Sequence, residues 1–131
     1  MQGHRDLIAW QKAMLLVTEI YHHTRSFPKD ELYGLTSQIR RSAVSVPSNL
    51  AEGHGRMSRR EFHQFIGHAR GSLVELETQL EIARNLEYLA EKDASSLLER
   101  ASEIARLLNG LKKWSEVEEV RPDSRLLTPD S

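Results

Sequence analysis

The sequence predicts an all-α protein, folded as an antiparallel up-down-up-down four-helix bundle. Apolar residues recur at steps of three and four in four separate segments, which is the period of an amphipathic helix. Proline, glycine or a short polar run separates the segments, and β-branched residues occur only at helical spacing, with no strand pattern. Short connections favour antiparallel neighbours that cross at roughly 20°.

The first helix is predicted from Asp6, a suitable N-cap, to about Arg25. Pro28 then disfavours helical backbone at the residue before it, which ends the element. Its predicted core stripe is Leu7, Trp10, Met14, Val17 and Tyr21, with Ala13 and Ile20 beside it.

The second helix is predicted from about Glu31 to the Gly53-His54-Gly55 run. Its stripe is Leu32, Leu35, Ile39, Ala43, Val46 and Leu50. Pro47 lies inside this stripe and removes a backbone donor, so we expect a kink there. Because the apolar phase continues past the proline, one kinked helix is expected rather than two.

The third helix has the clearest pattern. Ser58 followed by Glu61 indicates a capping box, and an a/d seam extends through about Leu89. The seam is Phe62, Ile66, Ala69, Leu73, Leu76, Leu80 and Ala83.

The fourth helix follows a turn at 90–93 and ends at Val117. Its stripe is Leu97, Ala101, Ile104, Leu108 and Leu111, flanked by Leu98, Ala105 and Trp114. The aperiodic stretch that follows contains Pro122 and Pro129. We therefore expect one bundle domain over 1–117 and a mobile tail over 118–131.

The composition fits one globular domain that needs no covalent staple. The chain has 131 residues and no cysteine, so a reducing cytoplasm is the expected compartment. The N-terminus lacks the apolar stretch of a signal peptide, and no apolar run approaches the ~20 residues of a membrane span. No association with a membrane is expected.

Charge is distributed unevenly along the chain. The formal net charge is −1, yet residues 36–70 carry six arginines against two glutamates. These arginines are the candidate nucleic-acid contacts, because a planar guanidinium binds phosphate bidentately: Arg40, Arg41, Arg56, Arg59, Arg60 and Arg70. The alternative is a solvated or structural role, with Arg41 pairing to a carboxylate such as Glu75. The sequence indicates no basic surface studded with aromatic rings on which bases would stack.

Two helical faces carry unusually small side chains. Ser45 and Ser48 lie in a part of the second helix, 42–51, that has no long charged side chain. Gly67 and Gly71 lie four apart in the third helix, where each glycine costs about 1 kcal/mol relative to alanine. Close approach of a second subunit would explain all four residues. The alternative is that the glycines are simply tolerated or allow a bend.

These stretches also carry a family resemblance. The segments 6–13, 33–53 and 69–78, with Ser-Val-Pro-Ser-Asn at 45–49, resemble the proteins named after 23S rRNA intervening sequences. The resemblance covers about residues 5–115 and implies an up-down four-helix bundle, with homopentamers among its members. It also implies a relation to the accessory variability protein of diversity-generating retroelements, which binds nucleic acid and partners a reverse transcriptase.

Catalytic and metal-binding patterns are sparse. A carboxylate-bridged di-iron bundle needs two Glu-x-x-His pairs, and only Glu19 and His22 have this spacing. There is no nucleophile elbow and no phosphate-cradling loop. We therefore predict no enzyme, no metal and no cofactor.

Two functions stay open at the level of the sequence. The first is a homo-oligomeric adaptor that holds RNA, DNA or a nucleoprotein partner at the arginine-rich turn between helices 2 and 3. The alternative is a structural scaffold that binds another protein and no nucleic acid.

Overall fold

The computed structural model describes residues 3–56 and 58–120, with the backbone alone at 117–120. Its four helices are α1 (Ile8–Thr24), α2 (Leu35–His54), α3 (Arg59–Asn85) and α4 (Glu91–Val120). Two 3₁₀ turns, His4–Asp6 and Lys29–Glu31, precede α1 and α2. No strand occurs in this part of the chain, so the prediction of an all-α fold is confirmed.

The helices pack as an antiparallel bundle. α1 contacts α2 and α4, and α3 contacts the same two helices. At one end the Tyr88 hydroxyl donates to Glu31 Oε2 at 3.0 Å, which joins the α3–α4 loop to the α1–α2 loop. The other end brings together the start of α1, the α2–α3 turn and the last turns of α4. The up-down-up-down order is therefore confirmed.

The core of α2, α3 and α4 follows the predicted stripes closely, except that Leu32 lies before α2 and is 47% exposed. All seven predicted seam residues of α3 are buried. The buried side chains of α2 and α4 that were predicted are Ile39, Ala43, Val46, Leu50, Leu97, Ala101, Ile104 and Leu108. Burial of one large aliphatic side chain contributes roughly 1.5–3 kcal/mol before the entropy of ordering it, so these rows stabilise the fold. α2 continues unbroken through Pro47, as predicted for one helix rather than two.

The predicted stripe of α1 was wrong in part: Leu7 is buried and Trp10 and Val17 pack half-buried against the core, but the main buried row lies one helical position earlier. The buried row is Ala9, Ala13, Leu16, Ile20 and Thr24, whereas Met14 is 42% exposed and Tyr21 40% exposed. α1 carries two apolar stripes side by side, and periodicity alone does not decide which one faces the core. The second stripe lies on the outer surface of the bundle, next to α2.

Several predicted helix boundaries also move. Leu7, rather than Asp6, is the N-cap of α1, since Asp6 belongs to the preceding 3₁₀ turn. α2 begins four residues later than predicted because Gly34 is not helical, and Glu31 Oε1 accepts the Leu35 N–H at 2.9 Å. α3 ends at Asn85 rather than near Leu89. α4 continues to Val120, past the predicted end, and the predicted tail at 121–131 lies outside the described residues.

α2 and α3 approach each other closely at Gly53. A Cβ atom at this position would lie 2.5 Å from Phe65 Cβ and 3.2 Å from Phe62 Cδ1. Further along the same helix pair, the hydroxyls of Ser45 and Ser72 are hydrogen-bonded at 2.7 Å. Asn49 Nδ2 donates to Ser45 Oγ at 2.9 Å, so these polar groups are paired within the chain. Both contacts fix how α2 lies against α3.

Replacing Gly53 tests this close approach. Gly53→Ala is expected to lower the free energy of unfolding by about 1–3 kcal/mol, because the new methyl overlaps the Phe65 side chain. Urea denaturation followed by circular dichroism measures the change. Gly110→Ala is the matched control: nothing lies within 4 Å of its added Cβ, and it should gain up to about 1 kcal/mol. Equal stability of the two variants would contradict the close packing.

Candidate nucleic-acid interface

The α2–α3 turn is short because α2 ends and α3 begins there with well-defined caps. Gly55 caps α2, and its N–H bonds back to the carbonyls of Ala51 and Glu52 at 3.2 Å. Ser58 then caps α3, with its hydroxyl oxygen accepting the Glu61 N–H at 3.1 Å. This confirms the predicted cap. The turn places three arginines that lie within five positions of one another, Arg56, Arg59 and Arg60, at one end of the bundle.

Aromatic rings orient two of these arginines. The Arg59 guanidinium lies 3.6 Å from the centroid of the Trp114 ring, which comes from α4. The Arg56 guanidinium lies 5.1 Å from the Phe65 ring and is also paired with Glu52 at 2.9 Å. Contacts of this kind at exposed sites are worth about 0.5–1 kcal/mol each, enough to bias a side chain but not to lock it.

A cavity of about 580 Å³ opens beside these arginines. Its floor consists of the buried residues Leu7, Gly53 and Phe62, which come from three different elements. Arg56 and Trp114 are exposed and stand at its mouth. Its walls are completed by half-buried residues and one exposed serine: His54, Arg59, Leu111 and Ser58. The volume lies within the range of small-molecule pockets.

Aromatic side chains are therefore present at the basic turn, contrary to the prediction from the sequence. Phe62 touches both His54 and Trp114 edge-on, with ring centroids 5.9 Å and 6.3 Å apart. Trp114 is 47% exposed, so its ring is accessible from solvent. The sequence placed it only as a flank of the α4 stripe, and the antiparallel packing brings it to the turn.

The other candidate arginines lie elsewhere. Arg40 is half-buried, donates through Nε to Thr24 Oγ1 at 2.9 Å, and stacks 4.6 Å from the Tyr21 ring. Arg41 is exposed and lines a cleft with Glu75, the carboxylate proposed as its partner. It lies fifteen residues before Arg56, about 22 Å along the helical rise. Arg70 is half-buried midway along α3. The six arginines do not form one surface.

The four candidate interface residues lie on more than one face. Ser45 faces α3 through its bond to Ser72, whereas Ser48 lines a groove between α1 and α2. Gly67 and Gly71 lie on α3, and nothing is within 4 Å of a Cβ built at either position. Space for a second subunit is therefore open at both glycines. The assignment of the four residues to a subunit interface stays a prediction.

The groove between α1 and α2 is apolar. We call it the α1–α2 groove; it has a volume of about 390 Å³ and is lined by His4, Trp10, Met14, Val17, Val44, Pro47, Ser48 and Ala51. The lining contains no acidic or basic side chain other than His4. It includes three residues of the stripe that was predicted to face the core: Trp10, Met14 and Val17.

Two shifted pKa values belong to other parts of the bundle. A hydrogen bond to the Glu31 carboxylate raises the pKa of Tyr88, which keeps the phenol protonated at the loop end. Burial, and then repulsion from Glu81, raise the pKa of Glu77 on α3. Within the described residues, no three metal-ligating side chains converge, and no helix is long and apolar enough to cross a membrane.

Comparison with known proteins agrees with this architecture. The model of the family described as 23S rRNA-intervening sequence protein matches residues 5–110. The chain belongs to this family. The match includes α1, α2, the basic turn and α3, together with most of α4.

Among solved structures, one similar chain is a protein of unknown function from the S23 ribosomal protein family of Bacteroides thetaiotaomicron. It has a TM-score of 0.74 and 24% identity, and the match covers 81% of this chain and 99% of that one. At this identity the likeness supports the fold alone. No curated protein sequence is significantly similar to the chain. Neither description names an enzymatic activity for the 23S rRNA-intervening sequence family or for this neighbour.

In this family member, a buried polar contact fixes α3 against α4 beside the cavity. The Ser115 side chain is fully buried, and its hydroxyl donates to the Lys112 carbonyl at 2.9 Å. His63 Nδ1 lies 2.7 Å from the Ser115 hydroxyl oxygen. Because the hydroxyl hydrogen is used on Lys112, His63 is the donor to Ser115. Sequence reasoning missed this pair, since its two members lie on different helices.

Removing this hydroxyl should loosen the end of the bundle that carries Trp114. Ser115→Ala is expected to cost about 1 kcal/mol of unfolding free energy, because His63 loses its partner. Thermal or urea unfolding measures it, with Ser96→Ala on the exposed face of α4 as the control, expected within about 0.5 kcal/mol of wild type. Equal stability of the two variants would show that the contact contributes nothing.

Proposed function

We propose that this protein is a non-enzymatic adaptor that assembles with copies of itself and binds RNA or DNA at the α2–α3 turn. A nucleoprotein partner would be held at the same place through its nucleic acid. The cytoplasm, predicted from the absence of cysteine, is the compartment that belongs to this proposal.

One observation carries the nucleic-acid assignment. At one end of the bundle, Arg59 stands against the exposed ring of Trp114, Arg56 lies near the half-buried ring of Phe65, and both arginines line an open cavity. Arginine suits phosphate because its planar donors match two oxygens, and aromatic faces suit bases because every base has a π-face. Arg60, exposed in the first turn of α3, adds a third positive charge. A second cleft, of about 520 Å³, also places two arginines, Arg40 and Arg41, next to the exposed rings of Tyr21 and Tyr33. Arg40 is already bonded to Thr24 Oγ1 there, and the α2–α3 turn carries one arginine more.

The assignment of self-assembly rests on the outer face of α3. Gly67, Gly71 and Val74 follow one another at steps of four and three, so they share a side of the helix. Val74 is 61% exposed, and both glycines leave their Cβ positions open. A second helix can approach such a face closely. A ring of subunits would also repeat the basic turn and raise the avidity for a long strand.

The α1–α2 groove favours the second candidate function, a scaffold that binds another protein. Its lining is apolar and offers no guanidinium or ammonium group to phosphate. Exposed apolar grooves between helices commonly take an amphipathic helix. This function needs neither the basic turn nor the cavity, so the two candidates differ in which mutations abolish them.

Charge reversal at the turn tests nucleic-acid binding. The triple variant Arg56→Glu, Arg59→Glu and Arg60→Glu is expected to abolish measurable binding of RNA and DNA oligonucleotides at low salt. The physical reason is the loss of phosphate contacts, each of which contributes about 0.7 to the slope of log affinity against log salt for a single strand. Fluorescence anisotropy at several salt concentrations measures both the affinity and the slope.

A matched triple reversal separates local contacts from net charge. Arg25, Lys29 and Lys92 are exposed at the opposite end of the bundle, and changing them to glutamate alters the net charge equally. This control should keep most of the affinity and nearly the same salt slope. Equal losses in the two triple variants, or no binding by the wild type at low salt, would refute the assignment.

A bulky side chain on α3 tests self-assembly. Gly71→Leu is expected to dissociate the oligomer while circular dichroism stays unchanged, because the single chain has open space at this position. Native mass spectrometry reads the subunit number. Gly110→Leu is the control, since it lies in α4 with nothing within 4 Å of its Cβ position. If the Gly71→Leu protein assembles like the wild type, the outer face of α3 is not part of the subunit interface.

A further inference from the structure

The cavity at the α2–α3 turn combines two chemical features in one place. Its floor is apolar and includes the face or edge of a phenyl ring, since Leu7 and Phe62 are both buried there. Its mouth carries the exposed indole of Trp114. A flat ring that entered would lose water from both faces and gain contact with aromatic and aliphatic carbon. Such an environment favours a planar apolar body over a flexible polar one.

Positive charge lies at the mouth and in the wall and not at the floor. Arg56 is exposed beside the opening, and Arg59 lies against the Trp114 ring. Glu52 pairs with Arg56, and Glu61 lies in the first turn of α3. Arg56, Arg59 and Arg60 against Glu52 and Glu61 leave a charge of +1. The opening therefore suits a molecule whose anionic group is attached to the flat ring but remains near solvent.

A nucleotide has this arrangement of parts: a flat base joined through a sugar to a phosphate. We propose that the cavity receives one unpaired base of a single-stranded RNA or DNA, with the adjoining phosphates at Arg56 and Arg59. This inference rests on the proposed function and specifies it further. The base stacks against the aromatic lining, and its polar edge points to the mouth, where His54 and Ser58 offer hydrogen-bonding groups.

The proposal predicts that the affinity depends on whether the nucleic acid is single-stranded and carries bases. A base inside a duplex is already stacked and paired, so it enters a cavity only if the duplex opens, which costs a few kcal/mol per base. A single strand and a strand without bases present the same phosphates, and a duplex presents them at a higher density, so attraction to phosphate alone would favour the duplex. Comparing these three ligands therefore separates base insertion from attraction to phosphate.

The fluorescence of Trp114 can report whether a base enters the cavity. The chain has two tryptophans, and Trp10→Phe leaves Trp114 as the sole indole. This variant, with the full chain otherwise unchanged, is titrated at low salt with an oligothymidylate of about 15 nucleotides. The parallel titrations use an abasic strand of the same length, the corresponding blunt duplex and thymidine monophosphate. Anisotropy of end-labelled strands gives the affinities independently of the indole signal.

The single strand with bases is expected to quench Trp114 and to bind about ten- to a hundredfold more tightly than the abasic strand or the duplex. Trp114→Ala should reduce its affinity to that of the abasic strand, and Trp114→Phe should restore most of it. Leu86→Ala is the control, because this large apolar side chain is 51% exposed at the opposite end of the bundle, and it should change nothing.

Other outcomes overturn the proposal in distinguishable ways. If the abasic strand binds as tightly as the oligothymidylate and the arginine variants weaken both, phosphate binding stands and base insertion is wrong. Equal affinity for the duplex has the same meaning. Binding of thymidine monophosphate as tight as that of the strand would make the cavity a site for a free nucleotide instead. If none of these nucleic acids binds, the proposed function itself is wrong.

Discussion

The close approach of α2 to α3 at Gly53 is the constraint on which the rest of the basic end depends. Only a residue without a Cβ lets Phe65 and Phe62 lie this near the α2 backbone. Phe62 consequently serves both as the first core residue of α3 and as the floor of the cavity. Ser58 caps α3, so the backbone position of Arg59, the first residue of the helix, is fixed. Packing in the interior thus determines the position of charges on the surface.

The floor and the mouth of the cavity differ in how freely they can move. Floor residues are close-packed, and displacing them costs energies typical of core mutations, a few kcal/mol. Arg59 contacts the Trp114 ring, and Arg56 contacts the Phe65 ring and the exposed Glu52 carboxylate; each of these contacts is worth about 1 kcal/mol or less. A ligand can therefore compete for these contacts while the apolar shape beneath stays fixed. Rigid apolar surface under adaptable cations is a combination suited to strands of varied sequence.

Sequence periodicity predicted the fold because each helix has a dominant apolar row. It succeeded completely for α3, where the seam is unbroken and the exposed apolar residues Val74 and Ile82 do not form a continuous second row. It failed for α1, because Trp10, Met14 and Val17 form a second row next to the true core row, and the hydrophobic pattern does not rank two adjacent rows. The candidate site was predicted in part: the turn arginines are local in sequence and were found. Trp114 and the His63–Ser115 contact depend on which helices become neighbours, so they required the tertiary structure.

The location of the cavity has a practical meaning for any surface-based measurement. α1 begins, and α4 passes the cavity at Trp114, at the same end as the basic turn, so a surface attached at this end would crowd the cavity mouth. The loops at the far end, around Asp30 and Glu87, are exposed and far from it. Since the chain contains no cysteine, Asp30→Cys would introduce a unique thiol there. Immobilised through that thiol, every molecule would stand with its basic end toward the solution, in a single defined orientation.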